Sequence, residues 1–263
     1  MNTMAEEFTT QMVRFAERLA DESRAILKEA AGDAPEVAIK ADASYVTETD
    51  KRIETRLREI IDAEHPEHGI LGEEHGARDL GAEYVWVLDP IDGTAPFIAG
   101  IPVYGTLIGL ARHGKPWLGV IDHPATSDRW TGVSAEWATF NGQPIRTRPC
   151  ADFGPALMTC SNADFFAPDQ RAAFNTLRSR VRYTQYGGSC YAYGVLASGR
   201  TDLAVDGGLD PFDIFAPAAV IEGAGGIITD WSGDRFTLNW RGLVVAAGDR
   251  DLHARALALL QKA

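Results

Sequence analysis

The segment Trp86-Val87-Leu88-Asp89-Pro90-Ile91-Asp92-Gly93-Thr94 holds the residues best suited to chemistry. Its apolar start has the character of a buried strand, which would deliver Asp89 at its C-terminal end. Pro90 predicts a turn, and Asp92 comes back three residues after Asp89. Gly93 permits tight backbone, and Thr94 can open a helix. Two carboxylates at this spacing can neighbour a hard cation such as Mg²⁺. Free backbone N–H groups at Gly93 and Thr94 can hold a phosphate. The plainer alternative is an Asx turn at Asp89 and a helix cap at Asp92.

Further acids sit at other element ends. Glu73 follows Ile70-Leu71-Gly72, so it would also stand at the end of a strand. Asp210-Pro211-Phe212-Asp213 opens a late helix and puts Asp213 in its first turn. Acids gathered in this way repel one another unless cations lie between them. Spacing excludes several other sites. An EF-hand loop with Gly93 at its sixth position needs Asp at 88 and Glu at 99, where Leu88 and Ala99 stand. A DxDGT phosphatase needs its nucleophilic Asp where Pro90 stands. There is no GxSxG, P-loop or HExxH.

The whole chain sets bounds on the partners. It has 263 residues, 25 basic against 37 acidic, and a net charge of −12. That balance excludes nucleic acid and anionic membrane as general partners, since both need a basic face. It leaves anionic substrates open, because bound metal inverts a local field. Cys150, Cys160 and Cys190 cannot all pair, and none forms a CxxC. No apolar run approaches a membrane span, and the acidic start Met1 to Glu7 has no signal core, so the expected compartment is the cytoplasm.

The elements that must position these acids follow from periodicity. Phe8, Met12, Phe15, Leu19, Ile26 and Leu27 predict a helix over 3–31, stopped by Gly32 and Pro35. Thr47 and Asp50 have capping-box spacing and predict a second helix that ends before Pro66. Strands are expected at 84–88, 103–110, 117–121 and 129–133, with a hairpin at Asn141-Gly142. The later chain alternates strands at 156–160, 181–186, 202–205, 226–230 and 243–247 with helices at 168–179, 190–198, 211–223 and 250–261. This pattern is mixed α/β and layered. Residues 1–150 form a half rich in strand meander, and residues 151–263 a half of βα alternation packed against it.

The ordered blocks Lys40 to Asp50, Leu71 to Glu74, Trp86 to Thr94, and Asp206 to Asp213 with Glu222 to Gly226 resemble the inositol monophosphatase superfamily of metal-dependent phosphatases. Within it, 97–110 and Gly187-Gly188-Ser189-Cys190-Tyr191-Ala192-Tyr193-Gly194 are similar to the histidinol-phosphatase branch. The resemblance implies a layered αβαβα sandwich and a homodimer. It implies two to three Mg²⁺ ions per site. Glu73, Asp89 and the Ile91 carbonyl would hold one ion, and Asp89, Asp92 and Asp213 a second. A third would lie near Glu73. Thr94, supported by Asp50, would position and help deprotonate the attacking water, with Glu73 completing the catalytic set. Gly93 and Thr94 amides would grip the phosphate, while Asp206 and Ser189 would face the alcohol part of the substrate.

The implied reaction is hydrolysis of a small phosphorylated alcohol, L-histidinol phosphate as first choice and an inositol or other polyol phosphate as the alternative. Ser189 stands where the histidinol-phosphatase branch often carries Asp, and Ala95-Pro96 replaces a longer polar pair. A catalytically silent scaffold of the same fold would show a degraded site, but Asp50, Glu73, Asp89, Asp92, Thr94 and Asp213 are all present. His75, His113 and His123 read as surface or turn histidines, because hard Mg²⁺ prefers oxygen. Glu74 reads as a group that orients a ligand or its water.

Overall fold

The computed structural model describes residues 3–30, 36–40 and 45–261. The expected helix end at 31, its stop at Gly32 and Pro35, and residues 41–44 of the family-like block lie outside the described residues. Helix α1 (Thr3–Ala30) is followed by a small hairpin of β1 (Val37–Ile39) and β2 (Tyr45–Thr47), then by α2 (Glu48–Glu64).

A first large sheet takes β3 (Gly69–Gly72), β4 (Gly76–Arg78), β5 (Tyr84–Asp92), β6 (Gly105–Arg112), β7 (Lys115–His123), β8 (Asp128–Val133), β9 (Trp137–Phe140) and β10 (Gln143–Pro144). Helix α3 (Thr94–Ala99) interrupts it after β5. Strand order is β10-β9-β8-β7-β6-β5-β3-β4. The second half supplies β11 (Leu157–Cys160), α4 (Pro168–Arg178), β12 (Tyr183–Tyr186), α5 (Ser189–Ala197), β13 (Leu203–Leu209), α6 (Pro211–Gly223), β14 (Ile227–Asp230), β15 (Gly242–Ala247) and α7 (Arg250–Leu260). Its sheet runs β12-β11-β13-β15-β14.

Side-chain alternation builds five layers from these elements. On β5, Trp86 and Leu88 pack with Met12, Leu19, Ile53 and Leu57 of α1 and α2. Val85 and Val87, one step out of phase, pack with Phe215 and Ala218 of α6. On β15, Val244 and Ala246 face that same inner layer, while Val245 and Ala247 face α4 and α7. A strand with a period of two that is buried on both faces produces this split. The result is α1/α2, sheet, α5/α6, sheet, α4/α7, the layered α/β sandwich expected above.

Helix α6 is apolar all round, as a helix between two sheets must be. Glycines on β6, β7 and β8 let it sit close. A Cβ on Gly119 would lie 2.3 Å from the Ala216 carbonyl oxygen, and one on Gly132 would lie 2.6 Å from Val220 Cα. On the other side of the sheet, α1 is pinned by polar contacts. Arg24 and Arg129 both bind the fully buried Asp122, and Ser23 Oγ meets Thr106 Oγ1 at 2.5 Å. The Asn141-Gly142 hairpin forms between β9 and β10 with positive φ at both residues, 49° and 76°.

One local expectation is corrected. Pro90 does not end the strand, because β5 continues to Asp92. Asp89 pairs with Leu107 and Asp92 with Gly105, so β5 carries one extra residue there, a bulge. Pro90 tolerates this place because its carbonyl still accepts from Thr106 Oγ1 at 2.8 Å and a bulge needs no donor from it.

Replacing Gly119 by Ala is expected to overpack the α6 seat and lower stability by about 1–3 kcal/mol. Thermal denaturation would show this as a melting temperature several degrees below that of the parent, whereas an unchanged value would contradict the close seat.

Candidate metal centre

Strands β3 and β5 run parallel, so their carboxyl ends lie together. Glu73 leaves β3 beside β5, its N–H donating to the Leu88 carbonyl at 3.2 Å. On a regular strand Asp89 and Asp92, three residues apart, would point to opposite faces. The bulge between them restores a common direction. Asp213 arrives from the first turn of α6. One carboxylate oxygen from each of Asp89, Asp92 and Asp213 lies within 4.8 Å of the others. Glu73 is close enough to Asp89 and Asp213 to raise the pKa of both.

Burial pushes Asp89 well above the usual carboxylate range, and Glu73, Asp92 and Asp213 add repulsion. Asp213 is raised by burial and then by Asp92. Asp92 is raised by burial, partly offset by hydrogen bonds from Cys190. Burial pushes Glu73 up to about 7 against the pull of Lys40. Asp89 Oδ1 is buried and has no hydrogen-bond partner among the described residues. An all-oxygen acid cluster, Asp89 buried with Asp92 and Asp213 half-buried, that leaves one acceptor orphaned fits a hard divalent cation such as Mg²⁺.

Helix starts hold Asp213, Asp92 and Asp50 in place. Asp213 Oδ2 accepts from the Asp210 N–H of its own helix cap at 2.6 Å. Asp92 Oδ2 accepts from Cys190 N at 2.6 Å, in the first turn of α5. Asp50 Oδ2 accepts from Thr47 N at 2.8 Å and from Thr47 Oγ1 at 2.5 Å, consistent with the capping spacing read in the sequence. Asp50 Oδ1 lies 3.5 Å from Thr94 Oγ1, whose hydroxyl also reaches the Ile91 carbonyl at 3.1 Å. N–H groups aimed at carboxylates from helix starts are charge-assisted and aligned with the helix dipole.

On the substrate side, Gly93 is left-handed at φ 81°. A Cβ there would meet Ser189 Oγ at 3.0 Å, so Ser189 stands over the Gly93-Thr94 turn. Ser189 itself has φ 43°, a strained conformation for a serine, of the kind found at functional sites. Asp206 is turned inward, contrary to the outward role expected of it. Only 2% exposed, it accepts from Ser161 N at 2.5 Å and from Tyr193 Oη at 2.8 Å. Each oxygen has a partner within the protein, tying the middle of β13 to Ser161 after β11 and to Tyr193 of α5.

Lys40 carries no local signal of a role, and Glu74 and His123 are placed by distant partners. Lys40 Nζ reaches Glu73 Oε1 at 2.8 Å and Glu74 Oε1 at 2.6 Å. Burial works against its charge, but the two carboxylates override that and raise its pKa. Glu74 thus shares its counter-ion with Glu73. His123 is not a surface histidine. It is fully buried, its Nε2 lies 3.2 Å from Cys190 Sγ, and burial pushes its pKa down to about 4. Its strand ends inside the inner layer, where an aromatic-sized side chain fills space beside Tyr191 and Trp130. No local pattern marks such a place.

His65, Glu67 and His68 also bring ligand-type atoms together. However, Trp86 Nε1 donates to His68 Nδ1 at 3.1 Å, so the neutral ring carries its proton on Nε2, which faces Glu67 at 3.4 Å. The lone pair a metal would need is absent.

The profile of the inositol monophosphatase family matches residues 9–263, and the chain belongs to that family. It is accordingly a phosphatase of a metal-dependent family, with Mg²⁺ the typical ion. The "Bifunctional phosphatase IMPL2, chloroplastic" of Arabidopsis thaliana is 42% identical, over 96% of this chain and 76% of the relative. A histidinol-phosphatase of Chlorobaculum parvum is 33% identical over 79% of this chain and 80% of its own length. The solved structure of an inositol monophosphatase from Zymomonas mobilis superposes with a TM-score of 0.87 at 40% identity, covering 96% of this chain and 98% of that one.

Charge crowding among these acids sets how stability responds to pH. Raised carboxyl pKa values mean that the folded chain holds more protons than the unfolded one between the ordinary carboxylate range and about pH 7, so folding stability falls as pH rises through that window. Buried histidines such as His123, pushed down to about 4, act with the opposite sign below about pH 6.5, so the comparison is made above that: in EDTA the melting temperature should be lower at about pH 8 than at about pH 6.5, and the stabilisation by Mg²⁺ should be larger at the higher pH. A melting temperature that rises with pH in EDTA would contradict the charge crowding.

Proposed function

We propose that this chain is a Mg²⁺-dependent phosphomonoesterase of small phosphorylated alcohols, with L-histidinol phosphate as its substrate. The observation that carries the reaction class is the set Asp89, Asp92 and Asp213, with one carboxylate oxygen from each within 4.8 Å of the others, beside a threonine hydroxyl backed by a buried aspartate. Glu73, Asp89 and the Ile91 carbonyl would hold one ion, and Asp89, Asp92 and Asp213 a second, with a third near Glu73. When bound, the ions neutralise the ester's charge and make water a better nucleophile.

The chain's own groups do the remainder. Thr94 Oγ1 orients the attacking water, and Asp50, its other oxygen occupied by Thr47, draws proton density from the threonine hydroxyl. Gly93 and Thr94 amides meet the phosphate, with Ser189 Oγ at the rim of the same turn. Histidinol phosphate is favoured by the likeness to a protein named histidinol-phosphatase and by the segment Gly187 to Gly194. The second reading, inositol 1-phosphate, is favoured by the 40% identical structure named inositol monophosphatase and by the inward turn of Asp206, which removes an acid that would face a cationic leaving group. Free cysteines support the cytoplasm as its compartment, and the family resemblance supports a homodimer.

Asp89→Asn is expected to lower kcat by about a thousandfold, the equivalent of several kcal/mol of transition-state stabilisation. A phosphate-release panel with Mg²⁺ should show a kcat/KM for L-histidinol phosphate at least about tenfold above that for inositol 1-phosphate, one factor of ten being about 1.4 kcal/mol of discrimination. Turnover of inositol 1-phosphate without release from histidinol phosphate would replace the first substrate by the second. Near-parental activity of Asp89→Asn would remove the assigned role.

A further inference from the structure

The bonds that steady the turn carrying Glu73 come from α2. Glu54, fully buried one helical turn after Asp50, accepts from Glu74 N through Oε2 at 2.7 Å and from His75 N through Oε1 at 3.1 Å. Arg58, a further turn along, donates Nε to Glu54 Oε1 at 2.8 Å and Nη2 to the Gly76 carbonyl at 2.5 Å. His75 Nε2 lies 3.0 Å from Thr55 Oγ1 on the same helix. A Cβ on Gly72 would fall 2.0 Å from Glu54 Oε1, so the carboxylate occupies the space a side chain at 72 would need.

The Glu54 carboxylate is thus spent on two backbone N–H groups and a guanidinium, and it has no reach toward substrate. Those N–H groups belong to the two residues directly after Glu73. Glu54 also stands four positions from Asp50, so one face of one helix braces the Thr94 hydroxyl at its start and the Glu73 turn a turn later.

We infer that Glu54 is a positioning residue for divalent-metal binding: through the Glu74 and His75 amides it fixes the turn from which Glu73 meets Asp89. The inference rests on the ligand set proposed above. Removing an outer partner that holds a ligand typically weakens metal affinity roughly tenfold to a hundredfold. Glu54→Gln keeps the shape but sets an NH₂ against a backbone donor or the guanidinium.

The test is Mg²⁺ binding to the purified full chain by titration calorimetry, alongside melting temperatures in EDTA. Glu54→Gln should raise the Mg²⁺ dissociation constant by roughly tenfold or more. Excess Mg²⁺ should restore kcat while KM for substrate stays within about twofold, the mark of a lost positioning contact rather than lost transition-state binding. Ile61→Val, equally buried on α2 but remote from the turn, supplies the control: its melting temperature falls and its Mg²⁺ affinity stays. If Glu54→Gln does not fold, Arg58→Lys, which loses the guanidinium fork, takes its place and should weaken Mg²⁺ in the same direction. Parental affinity in the variant that folds overturns the inference, as does an equal loss in Ile61→Val. Asp89→Asn, run in parallel, separates the two levels: if it binds Mg²⁺ as the parent does, the ligand set fails and the inference with it; if it loses binding while Glu54→Gln does not, only the inference fails.

Discussion

Like charges held close together in a dry place are the constraint on which this structure turns. Asp89, Asp92 and Asp213 share a space a few ångströms across, with Glu73 at its edge. In a medium of low dielectric such a group is unstable unless protons or cations lie among the oxygens. The fold meets this from two directions. Two of the acids are tied by one oxygen to an amide at a helix start: Asp213 to Asp210 N on α6, Asp92 to Cys190 N on α5. The other oxygens are left toward the centre, and on Asp89 one of them has no protein partner at all. The scaffold therefore fixes the positions of Asp89, Asp92 and Asp213 without pairing them with a cationic side chain, an arrangement suited to a small divalent ion.

The geometry that achieves this is topological before it is chemical. A parallel pair, β3 and β5, brings two carboxyl ends side by side, which a hairpin could not do. The bulge at Pro90 then converts an odd spacing into a common direction for Asp89 and Asp92. The α5/α6 layer, buried between two sheets, points its N-termini back at the same end. Once these elements are seated, the acids have little freedom to part, because α6 is locked by backbone approaches at Gly119 and Gly132. Repulsion at the centre is opposed by apolar packing on both sides of it.

Much of this was legible in the chain because it is local. The apolar run before Asp89, the capping spacing of Thr47 and Asp50, and the Asn141-Gly142 hairpin each need only a few neighbouring residues to be read. What was not legible depends on partners far along the chain. Pro90 looked like a stop because a proline usually is one, and only the register against Thr106 and Leu107 shows that the strand passes through it. His123 looked peripheral because nothing near it in sequence shows that Cys190 and Tyr191 close over it. Asp206 looked available because its consumers, Ser161 and Tyr193, lie on separate elements. Glu54 sits in an ordinary charged stretch of helix, and its burial under the Glu73 turn is a purely tertiary fact.

The same separation divides reaction from substrate. The groups proposed to activate water and carry the ions come from β5, α2, α3, α6 and the turn after β3, elements fixed by the two large cores. The groups that would meet the leaving alcohol stand instead at the carboxyl ends of β11, β12 and β13, the crevice end of a partly parallel sheet. There Ser161 and Tyr193 draw Asp206 inward, and Ser189 holds a strained backbone over Gly93. A carboxylate withdrawn and a hydroxyl put forward change the charge that an alcohol sees, while the ester still sees the same cage. On the proposed assignment, selectivity would therefore be open to change at single residues on this side without disturbing the acids that define the chemistry.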